Sequence, residues 1–265
     1  MENIYNNFKF LDNTYCHGVT RSKKGVVVTN HVHTCYEILL LVSGRGEYVV
    51  ENQRFEVKPY TLIVTKPMEY HLINLASDCT FERYYVQFDG SVGENLIDKL
   101  FGVNTVTRLD ENDEICKIFR LMDSYNHTFE PSDYPLLYQG LLLQLIHLVM
   151  LGGDKDVVGL TNADEITAKA IKYIAEHISE PMSIDSIASA LYVSPSFLCH
   201  KFSSHMHTGI MQYVKQKRIH LADKMLKKGV KPTAVAVACG YGEYSTFYRV
   251  YKEIFGVSPK ESAKR

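Results

Sequence analysis

Three residues in the first fifth of the chain have the types and spacing to do chemistry together. His31, His33 and Glu37 stand in the pattern Gly25-x5-His31-x-His33-x3-Glu37-x6-Gly44. In an extended strand, residues an even number of positions apart point to the same face. All three satisfy that rule, so a strand facing the inside of a small barrel would bring two imidazoles and a carboxylate together. Such donors suit a divalent metal (Fe, Mn, Ni or Zn), and open coordination positions would suit catalysis. The same polar groups, which need partners once enclosed, could instead take them from the hydroxyls of a bound small molecule.

A second set lies at the other end of the chain. The 265 residues carry 29 Lys+Arg and 30 Asp+Glu, a formal net charge of −1. That balance hides an asymmetry. Residues 161–265 hold 15 basic against 9 acidic residues, net +6, and residues 1–160 hold 14 against 21, net −7. A basic segment beside an acidic one is an electrostatic footprint for nucleic acid confined to one domain.

The basic segment contains an internal repeat. Ile187-Ala188 leads through a short turn to Leu198 and Phe202, and Val235-Ala236 leads through a similar turn to Phe247 and Tyr251. Each copy reads as a helix with a small buried alanine, a turn, and a second helix. Ser194-Pro195 supplies an N-cap followed by proline at the first helical position. Two such copies predict paired helix-turn-helix units, at about 183–204 and 232–255, joined by a helix over 209–228. A rigid helix of that kind would hold the two second helices about 34 Å apart, one DNA turn.

The elements ahead of this repeat must position the histidines. Stretches 26–29, 36–42, 47–51, 62–65 and 81–88 are rich in β-branched and aromatic residues and are punctuated by turn residues, which predicts a barrel or sandwich. From Asp113 the period changes: Ile115, Ile118, Phe119 and Met122 lie on one helical face. Residues 134–151 continue as a more apolar helix, and 152–156 break the pattern as a linker. The fold class expected is α+β: a barrel over 1–110, a helical arm over 111–152, a linker over 153–163 and an all-helical domain over 164–265.

Composition excludes other classes. A hydrophobic fraction of 46% and an aromatic fraction of 11% are enough for packed cores. No run of 18 consecutive apolar residues and no signal-like N-terminus is present, so no membrane partner is expected. Six scattered cysteines without a Cys-x-x-Cys pair argue for a reduced, cytoplasmic protein.

The C-terminal residues carry a resemblance to a known family. Ser194-Pro195-Ser196-Phe197-Leu198, Tyr213-x4-Arg218-x3-Ala222-x3-Leu226 and Ala236-x3-Gly240-Tyr241-x5-Phe247-x-Arg249-x-Tyr251-Lys252-x3-Gly256-Val257-Ser258-Pro259 resemble the signature of AraC-type transcription regulators. The resemblance implies seven helices and names the recognition helices as 195–204 and 244–255. Candidate DNA-binding residues are then Ser194, Ser196, Cys199 and His200 in the first unit, and Glu243, Tyr244, Tyr248, Arg249 and Lys252 in the second. Lys215 and Arg218 on the connecting helix are candidates for phosphate or intradomain contacts. Arg249 could read a guanine bidentately or contact phosphate, and Lys252 is read as a phosphate contact. His200 stands where the family often has Arg.

The N-terminal pattern resembles the first motif of the cupin superfamily, and Pro67-x3-His71 resembles its second, making His71 a fourth candidate metal ligand with His31, His33 and Glu37. Tyr60 stands where that second motif usually has Gly, and Asn74 comes one residue early. The family is commonly built as a cupin-like barrel ahead of the DNA-binding domain, so an effector pocket is favoured over a metal site, with no cofactor required. Candidate pocket residues are His31, His33, Glu37, Arg45, His71, Tyr85 and Gln87. Tyr85 and Gln87 share a parity opposite to Tyr84 and Val86, and one of the two sets faces inward.

The expected function is a ligand-responsive, sequence-specific regulator, by family resemblance an activator, sensing a small polar metabolite such as a sugar. Its expected partners are double-stranded DNA, a small-molecule effector, a second copy of itself through the apolar 134–151 helix, and RNA polymerase. A metal-dependent cupin isomerase or oxygenase with a helical appendage is the alternative, and the +6 repeat argues against it.

Overall fold

The computed structural model describes residues 2–10, 13–22, 27–88, 106–125, 128–130, 133–151, 160–162 and 164–263. The chain divides into two compact units, Met1–Thr161 and Asn162–Arg265.

The first unit is built on two antiparallel sheets. One has six strands in the order β1 (Glu2–Phe10), β2 (Asn13–Ser22), β9 (Phe81–Phe88), β4 (Tyr36–Ser43), β7 (Thr61–Thr65) and β10 (Val106–Arg108). The other has five, in the order β11 (Leu160–Asn162), β6 (Gln53–Val57), β5 (Gly46–Val50), β8 (His71–Leu75) and β3 (Val27–His31). Strands β1, β2, β6, β8 and β10 lie outside the five stretches that residue type marks as strands. Strand β11 falls inside the stretch expected to be linker, and residues 152–159 of that stretch lie outside the described residues.

The six-stranded sheet is buried on both faces, because alternate residues pack into different cores. Leu39, Leu41 and Ile63 join Tyr48, Phe55 and Ile73 from the other sheet to form the barrel interior. Ile38, Leu40, Tyr84, Val86 and Phe88 pack instead against two helices, α1 (Glu114–Tyr125) and α2 (Tyr134–Leu151). Ile115, Ile118, Phe119 and Met122 form the buried stripe of α1 that their spacing predicts.

Helix α2 is long and apolar enough by length and composition to cross a membrane, with a mean hydropathy of 1.5. Tyr138, Leu142, Leu145, Ile146 and Val149 bury one side of it against the sheet, which explains that apolarity as core. Its other side is uncovered: Leu136 is 68% exposed, Leu151 is 70% exposed, and Leu143 and Gly140 are also exposed. Arg21 on β2 ties α1 to the sheet by pairing with Glu82 at 2.8 Å and Asp123 at 2.6 Å.

His17, on the helix-facing side of β2, is fully buried, with neither ring nitrogen hydrogen-bonded among the described residues, 5.2 Å from the Tyr138 ring. Burial depresses its pKa to about 4, against a weaker opposing pull from Asp123. The unfolded chain therefore takes up a proton near pH 6.5 that the folded chain refuses until about pH 4, so stability is present above pH 6.5 and falls as the pH drops through that window. The expected loss attributable to His17 is about 2 kcal/mol between pH 7 and pH 5. Urea titrations of the full chain and of His17→Phe across that range check it: the variant's stability should fall less steeply with acidification.

The second unit is helical, and its ends are written locally. Helix α3 (Glu165–Glu176) is capped by Asp164, α4 (Ile184–Ala190) by a Ser183–Ser186 capping box, and α5 (Pro195–Met206) by Ser194 with proline following. The long α6 (Ile210–Lys227) connects to α7 (Pro232–Ala238), α8 (Tyr244–Phe255) and α9 (Pro259–Ser262). Ala188 and Ala236 are buried at the two helix crossings, with Leu198 and Phe202 in one unit and Phe247 and Tyr251 in the other. The turns need a left-handed residue, supplied by Tyr192 at φ 56° in the first and Gly240 at φ 74° in the second.

Candidate functional site

The polar cluster of the first unit is assembled differently from the single strand that its spacing suggested. Strand β3 ends at His31, and residues 32–35 cross to β4, which lies in the other sheet. His33 sits in that crossing, its carbonyl accepting from the Met68 amide at 2.9 Å. His71 pairs directly across from His31 on β8, and Glu37 pairs with Gln87 on β9. The four residues therefore converge from both sheets and the connection between them. One ring nitrogen from each of His31, His33 and His71 lies within 4.8 Å of the others.

Hydrogen bonds orient these groups. His33 Nδ1 donates to the Cys35 carbonyl at 2.8 Å and His71 Nδ1 donates to the Glu69 carbonyl at 2.9 Å. A carbonyl only accepts, so in both rings the proton resides on Nδ1 and Nε2 presents a lone pair. Both Nε2 atoms are buried with no hydrogen-bond partner among the described residues. They face the Glu37 carboxylate at 3.8 and 4.0 Å, and Gln87 holds that carboxylate through a 2.7 Å bond from its amide. Burial depresses the pKa of both rings, that of His71 to about 4, which keeps them neutral near pH 7. Neutral imidazoles anchored by Nδ1 to carbonyls, with orphaned Nε2 atoms converging on a carboxylate, fit a divalent cation as well as the donor hydrogens of an organic ligand.

His31, Glu37 and His71 of the cluster line a cavity of about 270 Å³ together with Leu39, Tyr48, Ile73, Arg83, Tyr85 and Gln87, and His33 stands outside that lining. That volume lies just below the roughly 300–1,000 Å³ of drug-sized sites, so it suits a small molecule. The parity question on β9 resolves inward for Tyr85 and Gln87. Tyr85 can lie across β2 because its partner there is Gly18, where any Cβ would collide with the ring.

Arg45 does not belong to the pocket. It lies at the surface, paired with Asp78 at 2.6 Å, because the turn before β5 points it outward. Arg83 takes the cationic place the sequence reading had assigned to Arg45. It was overlooked although it shares the parity of Tyr85 and Gln87 on β9.

In the second unit the expected contact residues fall into two groups. Ser196, His200, Tyr244, Tyr248, Arg249 and Lys252 are exposed along α5 and α8, Glu243 is exposed at the cap of α8, and Cys199 is half-buried. Arg249 and Lys252 have no ion pair among the described residues. Ser194 is exposed, but its hydroxyl already caps α5 by accepting from the Phe197 amide. Lys215 pairs with Glu253 at 3.1 Å on the surface.

Arg218, read from the sequence as a phosphate or an intradomain contact, makes intradomain contacts. Its guanidinium donates to the carbonyls of Ile178 (3.0 Å), Gly240 (3.1 Å) and Glu180. Those bonds fasten the loop after α3 and the second helix-turn-helix turn to α6, so its donors are committed within the fold.

Comparisons with known proteins agree with this division. Residues 18–145 match the family described as the AraC-like ligand binding domain, and residues 187–265 match a helix-turn-helix domain family. The regulatory protein SoxS of Salmonella typhimurium is 30% identical over 102 residues, which cover 38% of this chain and 95% of SoxS. The probable transcriptional regulator LumQ of Photobacterium leiognathi is 31% identical over 88 residues, 33% of this chain, and the match spans only about a third (36%) of LumQ. A crystal structure of ToxT from Vibrio cholerae O395 aligns over 94% of this chain and 97% of its own, at 16% identity and a TM-score of 0.41. The two units define a sensor domain joined to a DNA-binding domain. The chain belongs to the AraC/XylS family of transcription regulators.

Proposed function

We propose that the chain is a ligand-responsive, sequence-specific transcription regulator and not an enzyme. The observation that carries this reading is the pair of helix-turn-helix units whose second helices present exposed side chains, Ser196 and His200 on α5 and Tyr244, Tyr248 and Arg249 on α8. The barrel cavity serves as the effector pocket for a small polar metabolite. Effector binding shifts transcription only by favouring one arrangement of the chain over another. In this reading the output is activation through RNA polymerase.

The second copy docks on the uncovered side of α2. Leu136, Gly140, Leu143 and Leu151 recur there at helical spacing, and Gly140 leaves open space for a close approach. A dimer would place two DNA-binding units on paired sites.

The test joins two measurements on the full chain. Selection from a random DNA library should recover a sequence bound at least about a thousandfold more tightly than random DNA. Failure to discriminate any sequence would remove the regulator reading. Sedimentation of the chain and of Leu136→Glu/Leu143→Glu should show a dimer and a monomer, respectively.

A metal-loaded cluster is a second reading, supported by the orphaned Nε2 atoms of His33 and His71. His31, His33, Glu37 and His71 would hold a divalent cation and lend it to an effector's oxygens. Elemental analysis and metal titration of the purified protein decide it: about one equivalent of metal resistant to dialysis supports it, and the absence of any histidine-dependent binding on titration with Zn²⁺ or Mn²⁺ removes it.

A further inference from the structure

Arg83 is a charge placed inside the barrel without a structural use. Its side chain projects from β9 into the cavity on the same face as Tyr85 and Gln87. The residue is half-buried, and its Nε is fully buried with no hydrogen-bond partner among the described residues. No carboxylate lies within ion-pair distance of it among the described residues. The contact it does have is the Tyr85 ring, 5.8 Å from the guanidinium carbon. Taking a guanidinium out of water is costly unless an anion and its hydrogen bonds compensate. Burial lowers its pKa, and Glu37 is the charge that offsets part of this from a distance.

The cavity is polarised. Arg83 lies across from Leu41, and Gln87 lies across from Glu37, so the cation and the carboxylate enter four residues apart along paired strands, about 13 Å at the level of Cα. The Arg83 end offers the donors of a guanidinium. The other end offers acceptors: the Nε2 lone pair of His71 and the carboxylate of Glu37. A ligand that satisfies both ends carries an anionic oxygen pair at one terminus and hydroxyl hydrogens at the other.

We propose that this pocket takes a small hydroxy acid, its carboxylate bound by the Arg83 guanidinium and its hydroxyls donating to His71 and Glu37. The proposal rests on the effector-pocket reading and narrows it from polar metabolites in general to acids of sugar size. A planar guanidinium matches a carboxylate bidentately, which sets the orientation of the ligand as well as its charge.

The experiment is thermal shift and calorimetry on the full chain at fixed ionic strength with EDTA present. The probes are lactate, gluconate and galacturonate, each compared with a neutral counterpart: propane-1,2-diol, glucitol and galactose. At least one acid should raise the melting temperature and bind roughly tenfold to a hundredfold more tightly than its neutral counterpart. Arg83→Gln should lose that preference, and Arg83→Lys should keep part of it. The unliganded Arg83→Gln protein should melt no lower than the parent, because a half-buried charge with no ion pair among the described residues is removed; an arginine serving structure would melt lower.

Equal binding of neutral and acidic probes overturns the proposal and leaves the effector pocket standing. Acid binding that survives Arg83→Gln, or that disappears only because EDTA is present, also overturns it, as does failure of every acid to bind. The regulator reading fails separately, on DNA discrimination, which none of these arms measures.

Discussion

Replacing Arg218 with methionine should destabilise the helical unit by about 3 kcal/mol and lower its melting temperature by roughly 10–20 °C. Three carbonyls depend on that guanidinium, those of Ile178, Glu180 and Gly240. The bonds are charge-assisted, but the guanidinium is only partly shielded from solvent, so each contributes about 1 kcal/mol, and methionine satisfies none of them. Lysine should recover little, because one ammonium cannot span three diverging acceptors. Gly240→Ala should act on the same node: a Cβ there would stand 2.8 Å from an Arg218 nitrogen, at a φ of +74° that L side chains rarely adopt. The two substitutions together should cost less than the sum of their separate effects. Urea unfolding monitored by circular dichroism reads this directly. If Arg218 instead served DNA phosphate, its replacement would leave unfolding unchanged and reduce the salt slope of DNA binding by about one.

Arg249→Ala should weaken binding to the selected DNA sequence by roughly 1–3 kcal/mol, about fivefold to 150-fold, while changing affinity for random DNA far less. Arg249 is exposed on α8 and unpaired among the described residues, so its five donors are available to a base edge. Tyr244 and Tyr248 flank it on the same exposed surface, with ring centroids 6.4 Å apart. Lys252→Ala, one turn further along, should lower both affinities alike. Competition binding at two salt concentrations separates these outcomes. An equal loss on both DNAs for Arg249→Ala would make it a phosphate contact.

Much of the helical unit could be read without coordinates because its signals are local. Ser194-Pro195 marks a helix start whatever surrounds it, and the buried alanines, leucines and aromatics repeat at the spacing that a helix imposes. The same holds for α1, where Ile115, Ile118, Phe119 and Met122 state a period and the structure buries them together. The barrel was legible as a class but not as an assembly. Five of its strands announce themselves by residue type, yet β1, β2, β6, β8 and β10 do not: Glu2–Phe10 and Asn13–Ser22 carry many polar residues, Gln53–Val57 is half polar, His71–Leu75 is broken by Asn74, and Val106–Arg108 is only three residues long.

The sequence alone determined that two imidazoles, a carboxylate and a further histidine stand ready in an acidic, strand-rich half, and that a duplicated helix-turn-helix stands in the basic half. Type and spacing are properties of the chain itself, and they survive any mistake about geometry. Only the tertiary structure decided that His31 and Glu37 belong to different sheets, and that Tyr85 and Gln87 rather than Tyr84 and Val86 face the cavity. It alone separated three arginines: Arg45 at the surface, Arg218 committed to backbone carbonyls and Arg83 inside the barrel. The reason is physical. Every arginine has the same intrinsic chemistry, and its role is set by which acceptors a folded neighbour brings within 3 Å and by how much water the fold excludes. In a sheet buried on both faces, hydrophobic patterning loses the contrast that tells inside from outside, so parity groups residues without saying which core they enter.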